Sequence, residues 1–453
     1  MKRIVDHFLL TWKSAKTPKP LILRGARQVG KTYAVRQLGK TFSSFVEINL
    51  ETNEIARTIL ASTLDIEVIM LKLGEALNQP ILPAQTLLFF DEVQHVPQAI
   101  TALRYFYEQR PGLHVIAAGS LLDFALEQIS VPVGRVTFLR IYPLSFLEFM
   151  TALGHTGLVS MILRQTSHNP DPINKPLHEK LLSFVGLYLA IGGMPSTVAT
   201  WLEEKTSYAV RSIHEDLIFT YRQDFGKYAK KHQIKYLELI LQHALNQLGG
   251  KFMFARVGEY KKRELEPAIE LLEKAGLLHK VFRSGAQGAP LGAHAFLDTF
   301  KLIFMDVGLC QTLLKNDLSG WLIDPNQAFS NSGTLAEAFA GQELLAYSDP
   351  TQQEQLFYWH RFGQSREAEV DYVIQLNQAI IPIEVKAGGS HRLQSMQLFL
   401  EEHTKTPLGI RFSTHPYSVR DNIHSYPLYA IAKPLLDSRP EVLMAIETLI
   451  ASE

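Results

Sequence analysis

The 453-residue chain contains a single cysteine, Cys310, which excludes structural disulfides and any metal knuckle built from cysteines. Cys310 stands in an apolar stretch, where a thiol reads as a small buried hydrophobe. A charge excess of either sign is missing too. The 45 basic and 45 acidic residues cancel, so no global field points to nucleic acid or a membrane, and any nucleic-acid site has to be a local patch. Long apolar runs are also lacking. The most apolar stretch, Leu181 to Met194, is too short to span a bilayer and contains Gly192-Gly193. Met1 to Phe8 is charged too early for a signal peptide and suits a short amphipathic helix. The sixteen histidines show no His-Glu-x-x-His spacing, so zinc is not implied. The expectation is a cytoplasmic protein with no membrane partner. A hydrophobic fraction of 46% and a charged fraction of 20%, in a chain of this length, indicate a globular protein of more than one domain.

What the chain does have is Gly25-Ala26-Arg27-Gln28-Val29-Gly30-Lys31-Thr32, which matches G-x-x-x-x-G-K-[ST], the phosphate-cradling loop of nucleoside-triphosphate enzymes. An apolar strand, Leu21–Arg24, leads in, and a helix-compatible run from Lys31 to about Gly39 leads out. Glycines let backbone N–H groups wrap phosphate oxygens, and the helix N-terminus favours an anion. Lys31 would reach the β- and γ-phosphates and Thr32 would offer its hydroxyl to magnesium, so ATP and Mg2+ are the expected cofactors. The second half of such a site is found at Thr86-Leu87-Leu88-Phe89-Phe90-Asp91-Glu92, a continuous apolar run ending in two acids, as a buried parallel strand would deliver them. Asp91 would hold magnesium, usually through water, and Glu92 would polarise the attacking water. A third strand, His114-Val115-Ile116-Ala117-Ala118-Gly119-Ser120, ends in a hydroxyl that would sense the γ-phosphate from the neighbouring strand.

Together the loop, the Asp-Glu pair and the strand-end Ser120 resemble an AAA-type ATPase. The resemblance extends through Gly134-Arg135 and Tyr142-Pro143-Leu144-Ser145-Phe146-Leu147-Glu148-Phe149 to a prokaryotic branch of that superfamily. Tyr188-Leu189-Ala190-Ile191-Gly192-Gly193-Met194-Pro195 and Lys301 to Leu309 look like the tail of that branch, whose C-terminal domain has no agreed function. The chain departs from the pattern at Val307, where proline is more usual. The expected fold is α/β: a parallel-sheet core over residues 1–150 with strands at Leu21–Arg24, Phe45–Leu50, Leu87–Asp91, Val115–Ala118 and Val136–Tyr142, then a helical lid over 151–205 broken by a polar loop at 165–176. Lys251 to Asp306 reads as helix, turn, helix and two-stranded wing, within a winged-helix region at 206–315. Arg135 stands where an arginine could be offered to a neighbouring copy's γ-phosphate, with Arg140 as its rival and a local acid as its other partner.

A second constellation lies in the remaining region, 316–453. Glu369 to Gln375 and Ile380 to Lys386 would pair as a hairpin, bringing Asp371 beside Glu384 and Lys386 on one face. Two carboxylates and a lysine can bind magnesium and position water against a phosphodiester, an arrangement that resembles the D…(D/E)-x-K core of a large nuclease superfamily. Glu337, on a helix upstream, stands where that superfamily commonly places a further metal-binding acid; Gln394 and Gln397, on the helix after Lys386, do not settle the matter. A half-exposed strand produces Glu-x-Lys without any such function. Two readings follow: an ATP-driven DNA-processing enzyme with a metal-dependent nuclease site at the C-terminus, or a nucleotide-controlled switch that binds a protein partner or self-associates and keeps the C-terminal fold as a docking or DNA-binding module that does not cleave. Arg222, Lys227, Lys230, Lys231 and Lys235 are the better phosphate-contact cluster; Lys261, Lys262 and Arg263 are interleaved with acids and read as a solvated face.

Overall fold

The computed structural model describes residues 1–127, 134–165, 173–323, 333–363, 366–387 and 393–451. Most of the loop expected at 165–176 lies outside these residues. The chain divides into two compact units, one made of Met1–Tyr142 with Lys274–Gly276 and Asp349–Gln353, the other of the remainder.

The first unit is built on a parallel sheet in the order β2-β3-β4-β1-β5: β1 Leu21–Arg24, β2 Ser44–Asn49, β3 Thr86–Asp91, β4 His114–Ala118 and β5 Thr137–Arg140. All five expected strands are present within two residues at each end. Every residue of β3 and β4 is buried, as a parallel sheet with helices on both faces requires. The connection after β1 enters the helix Lys31–Gly39 at the carboxyl edge of the sheet, where β1 lies between β4 and β5, the position at which open α/β sheets bind ligands. The N-terminal helix covers Ile4–Lys13, a few residues later than its expected place.

The second unit carries a mixed sheet in the order β12-β13-β11-β10-β9-β8-β6-β7: β6 Leu278–Ser284, β7 Ala295–Phe304, β8 Leu356–Arg361, β9 Ala368–Leu376, β10 Ala379–Lys386, β11 Gly409–Ser413, β12 Ser418–Arg420 and β13 Ile423–Pro427. The expected helix at Arg263 to Ala275 is Lys262–Lys274, and the two strands after it form an antiparallel hairpin. They do not stand apart as a wing. β6 also pairs in parallel with β8, through Val281↔Leu356, Phe282↔Phe357 and Arg283↔Tyr358, so the hairpin is continuous with the sheet that carries β8. The physical reason is that an isolated two-stranded ribbon is marginal and leaves an open edge, which pairing with β8 removes. The helices after residue 143 belong to this same unit.

Candidate nucleotide site and carboxylate cluster

The loop between β1 and its helix is held by backbone that only special residues tolerate. Gly25 has φ +139° and a Cβ there would come within 2.2 Å of the Ile141 carbonyl oxygen; Gly30 enters the helix at φ +99°. The Lys31 ammonium donates to the loop's own Gly25 and Ala26 carbonyls, both at 2.8 Å. Burial pushes its pKa down to about 8, against the pull of Glu92 and Asp91. Thr32 donates its hydroxyl to Asp91 Oδ2 at 2.9 Å, so the two residues expected at magnesium meet. Asp91 is raised above the usual carboxylate range, first by burial and in part by Glu92. The donor set fits ATP and Mg2+: a lysine aimed into a loop of backbone N–H groups, with a hydroxyl and a carboxylate side by side.

Glu92 adopts φ +52° beyond the end of β3, and its carboxylate does not stand free. Its Oε2 accepts from Gln94 Nε2 at 2.6 Å and from the Ser120 hydroxyl at 3.2 Å. Gly119 makes room for this, since a Cβ there would come within 2.1 Å of Gln94 Oε1. Ser120, expected to sense phosphate, thus holds the residue expected to polarise water. Gln94 was not anticipated, although its position two residues after the acid pair was a readable signal. Arg135 donates to Glu108 at 3.2 Å, the local acid anticipated as its other partner. It precedes β5 and lies at the amino edge of the parallel sheet, opposite the loop. Arg140 is in register with Arg24, the residue just before Gly25.

In the second unit β9 and β10 form the expected hairpin, with Ile383↔Tyr372 as the last registered pair. Asp371 Oδ2 then accepts from the Val385 N–H at 2.7 Å, and Lys386 pairs with Glu384 at 2.5 Å. Burial raises Asp371 and, with the charge of Asp371, pushes Glu384 up to about 7. Glu337, raised to about 8 by burial, is close enough for Asp371 to contribute. The four residues therefore share one electrostatic neighbourhood. The cation at its centre comes from the chain: Lys301 on β7, 1% exposed, lies 2.8 Å from Glu337 and 2.6 Å from Glu369. Among the described residues no group of three or more His, Cys, Asp or Glu side chains is arranged to hold a metal ion. Lys301 pairs with Glu337 and Glu369, while Asp371 accepts from the Val385 N–H and Glu384 pairs with Lys386, so each acid of the cluster has a partner within the chain. A lysine in the apolar second half of β7, between Phe300 and Leu302-Ile303-Phe304, was the signal for this buried cation.

Residues 17–150 match the family described as an AAA domain. The N-terminal unit has the parallel-sheet α/β fold of a P-loop ATPase core. Residues 185–319 and 332–431 match two domains of unknown function, DUF8612 and DUF4143. No curated protein matches the chain. Among solved structures it is similar to the Walker-type ATPase PABY2304 of Pyrococcus abyssi, at 13% identity over 69% of this chain and 95% of that one, with a TM-score of 0.44. It is also similar to C. elegans PCH-2, at 14% identity over 47% and 66%, with a TM-score of 0.26. Among the described residues of this P-loop protein, no single helix is long and apolar enough to cross a membrane. The basic cluster favoured for phosphate contact is more diluted than its sequence suggested: Arg222 pairs with Glu238 at 3.1 Å and Lys227 with Asp224 at 2.9 Å. Lys262 of the other cluster pairs with both Glu266 and Asp298.

Proposed function

We propose that the protein binds and slowly hydrolyses ATP as a nucleotide-controlled switch, and that its C-terminal sheet is a binding module that does not cleave DNA. The ATPase half rests on the convergence of Lys31, Thr32, Asp91 and Glu92 around one loop. In this reading Lys31 would exchange the loop carbonyls for phosphate oxygens, Thr32 and Asp91 would hold magnesium, and Glu92 would orient water once released by Ser120 and Gln94. Magnesium, when bound, neutralises charge on the β- and γ-phosphates. Lys31→Ala should abolish ATP binding, whereas Glu92→Gln should bind ATP and fail to hydrolyse it; equal turnover by wild type and Glu92→Gln would remove Glu92 from this role.

The observation that favours a non-cleaving module is Lys301, an internal cation among carboxylates that a nuclease would turn toward metal. The second reading, metal-dependent cleavage of DNA, has its own support in Glu384 Oε2, which is buried without a hydrogen-bond partner among the described residues. Incubation with magnesium or manganese and supercoiled, linear and branched DNA, with and without ATP, decides between them. Cleavage lost in Asp371→Asn would establish the nuclease.

A further inference from the structure

Three neighbouring strands of the second unit, in the order β8-β6-β7, bring together a stack of aromatic rings and cations that neither site uses. Arg283 on β6 is the cross-strand partner of Phe296 on β7, and its guanidinium lies over that ring, 3.7 Å from the centroid. The same guanidinium lies 5.2 Å from the ring of Phe362, just after β8, and the Lys251 ammonium approaches Phe362 at 5.2 Å. Both rings are solvent-facing, Phe296 being 46% and Phe362 43% exposed. Arg283 Nε has no hydrogen-bond partner among the described residues.

The acids around the stack are engaged elsewhere. Glu369 pairs with Lys301, Glu367 with His360, Asp298 with Lys262, and Glu402 with Arg361. Arg283 and Lys251 have no carboxylate partner among the described residues, so the stack presents two positive charges between exposed aromatic faces. Exposed rings alone would suit many partners. Rings interleaved with uncompensated cations suit a chain that carries flat apolar faces and regularly spaced negative charges, which is a single-stranded nucleic acid. A duplex hides its base faces and would meet only the cations.

We infer that Phe296, Arg283 and Phe362 form a base-stacking platform for single-stranded nucleic acid, with Lys251 and Arg283 contacting the phosphates. The inference rests on the reading of the C-terminal sheet as a binding module, and is independent of the ATPase. With two phosphate contacts, log K should fall against log salt with a slope of about −1.4.

The test is fluorescence anisotropy of a labelled oligo-dT, and of its duplex with oligo-dA, with the full chain and EDTA present. Wild type should bind the single strand in preference to the duplex. Phe296→Ala and Phe362→Ala should each weaken binding about five- to 100-fold while ATP turnover and melting temperature stay unchanged. Phe362→Trp should retain binding, with its added fluorescence quenched by the bound strand. Failure of wild type to bind oligo-dT, a preference for duplex, or unaltered binding by the doubly substituted Phe296→Ala, Phe362→Ala protein would overturn the inference, the first pointing to a protein partner. DNA cleavage in the separate magnesium assay would overturn the non-cleaving reading and leave the platform standing.

Discussion

Glu92 illustrates how much of a site one side chain can withhold. Its carboxylate is a hydrogen-bond acceptor for Ser120 and Gln94, and hydrogen bonds to charged groups are worth about 1.5–3 kcal/mol. If Ser120 restrains Glu92, then Ser120→Ala should raise basal turnover at saturating ATP, by about tenfold. If Ser120 serves at the phosphate instead, the same substitution lowers turnover, and the sign of the change distinguishes the roles. Lys31 supplies a second residue-scale prediction. Burial lowers its pKa to about 8, so it is charged below that pH and neutral above it, whereas a phosphate beside it would favour the charged form. ATP affinity should be flat from pH 7 to about 8 and then weaken by up to about tenfold per unit, measurable with a fluorescent nucleotide. In Lys31→Arg this inflection should disappear, because a guanidinium stays charged throughout the range.

At the scale of elements, the helix Phe146–Ala152 shows what the sequence can and cannot specify. Its capping box pairs Ser145 with Glu148, in the local pattern S-x-x-E before an apolar run. Its other partner was not: Glu343, 197 residues away on the helix Gly333–Ala346, accepts from the Phe146 N–H at 3.0 and 3.1 Å. Burial raises Glu343 to about 8, well above its unfolded value of about 4.3. A raised carboxyl contributes stability that is full below the unfolded pKa and is lost as pH rises through the folded one. Glu343→Gln removes that titration and keeps an acceptor oxygen for Phe146. Its stability relative to wild type should therefore improve between pH 5 and 8, by at most about 1.4 kcal/mol per unit, as read by urea melts. The same limit explains Lys301. The hairpin of β9 and β10 was legible because two-residue alternation and a short turn are local, and so was the shared face of Asp371 and Glu384. The cation came from β7, near neither strand in sequence, and its arrival changes the meaning of the cluster. Breaking a buried pair leaves an uncompensated charge where Glu337 is ionised, so Lys301→Met should destabilise the protein by roughly 3–5 kcal/mol at about pH 9. The loss should shrink as acid protonates Glu337, whose pKa burial holds near 8. A loss that does not vary with pH would mean that packing, not charge, is what Lys301 supplies.

For the whole molecule, the ATPase core was nearly complete in the sequence because its motifs are contiguous and sit on strands that need no distant partner to be recognised. The later regions were harder to divide, because pairing between β6 and β8 joins segments about 70 residues apart, and no local pattern announces such a contact. Assembly is the remaining question at this scale. Arg135 lies at the edge of the sheet opposite its own phosphate loop, so within one chain it has no route to the nucleotide; its surface pair with Glu108, shared with Arg104, is solvent-exposed and easily exchanged. A neighbouring copy is the one place where its charge could act on a γ-phosphate, and arginines supplied in this way accelerate hydrolysis by roughly 10³- to 10⁵-fold. Turnover per chain should therefore rise with protein concentration in the wild type, and this rise should be absent in Arg135→Ala while the rate of the dilute protein is unchanged. Arg140→Ala, beside the loop of its own chain, should lower both rates together. Specific activity that is constant across a hundredfold dilution series, with Arg135→Ala indistinguishable from wild type at every point, would leave Arg135 as a surface ion pair and place stimulation, if any, with a different partner.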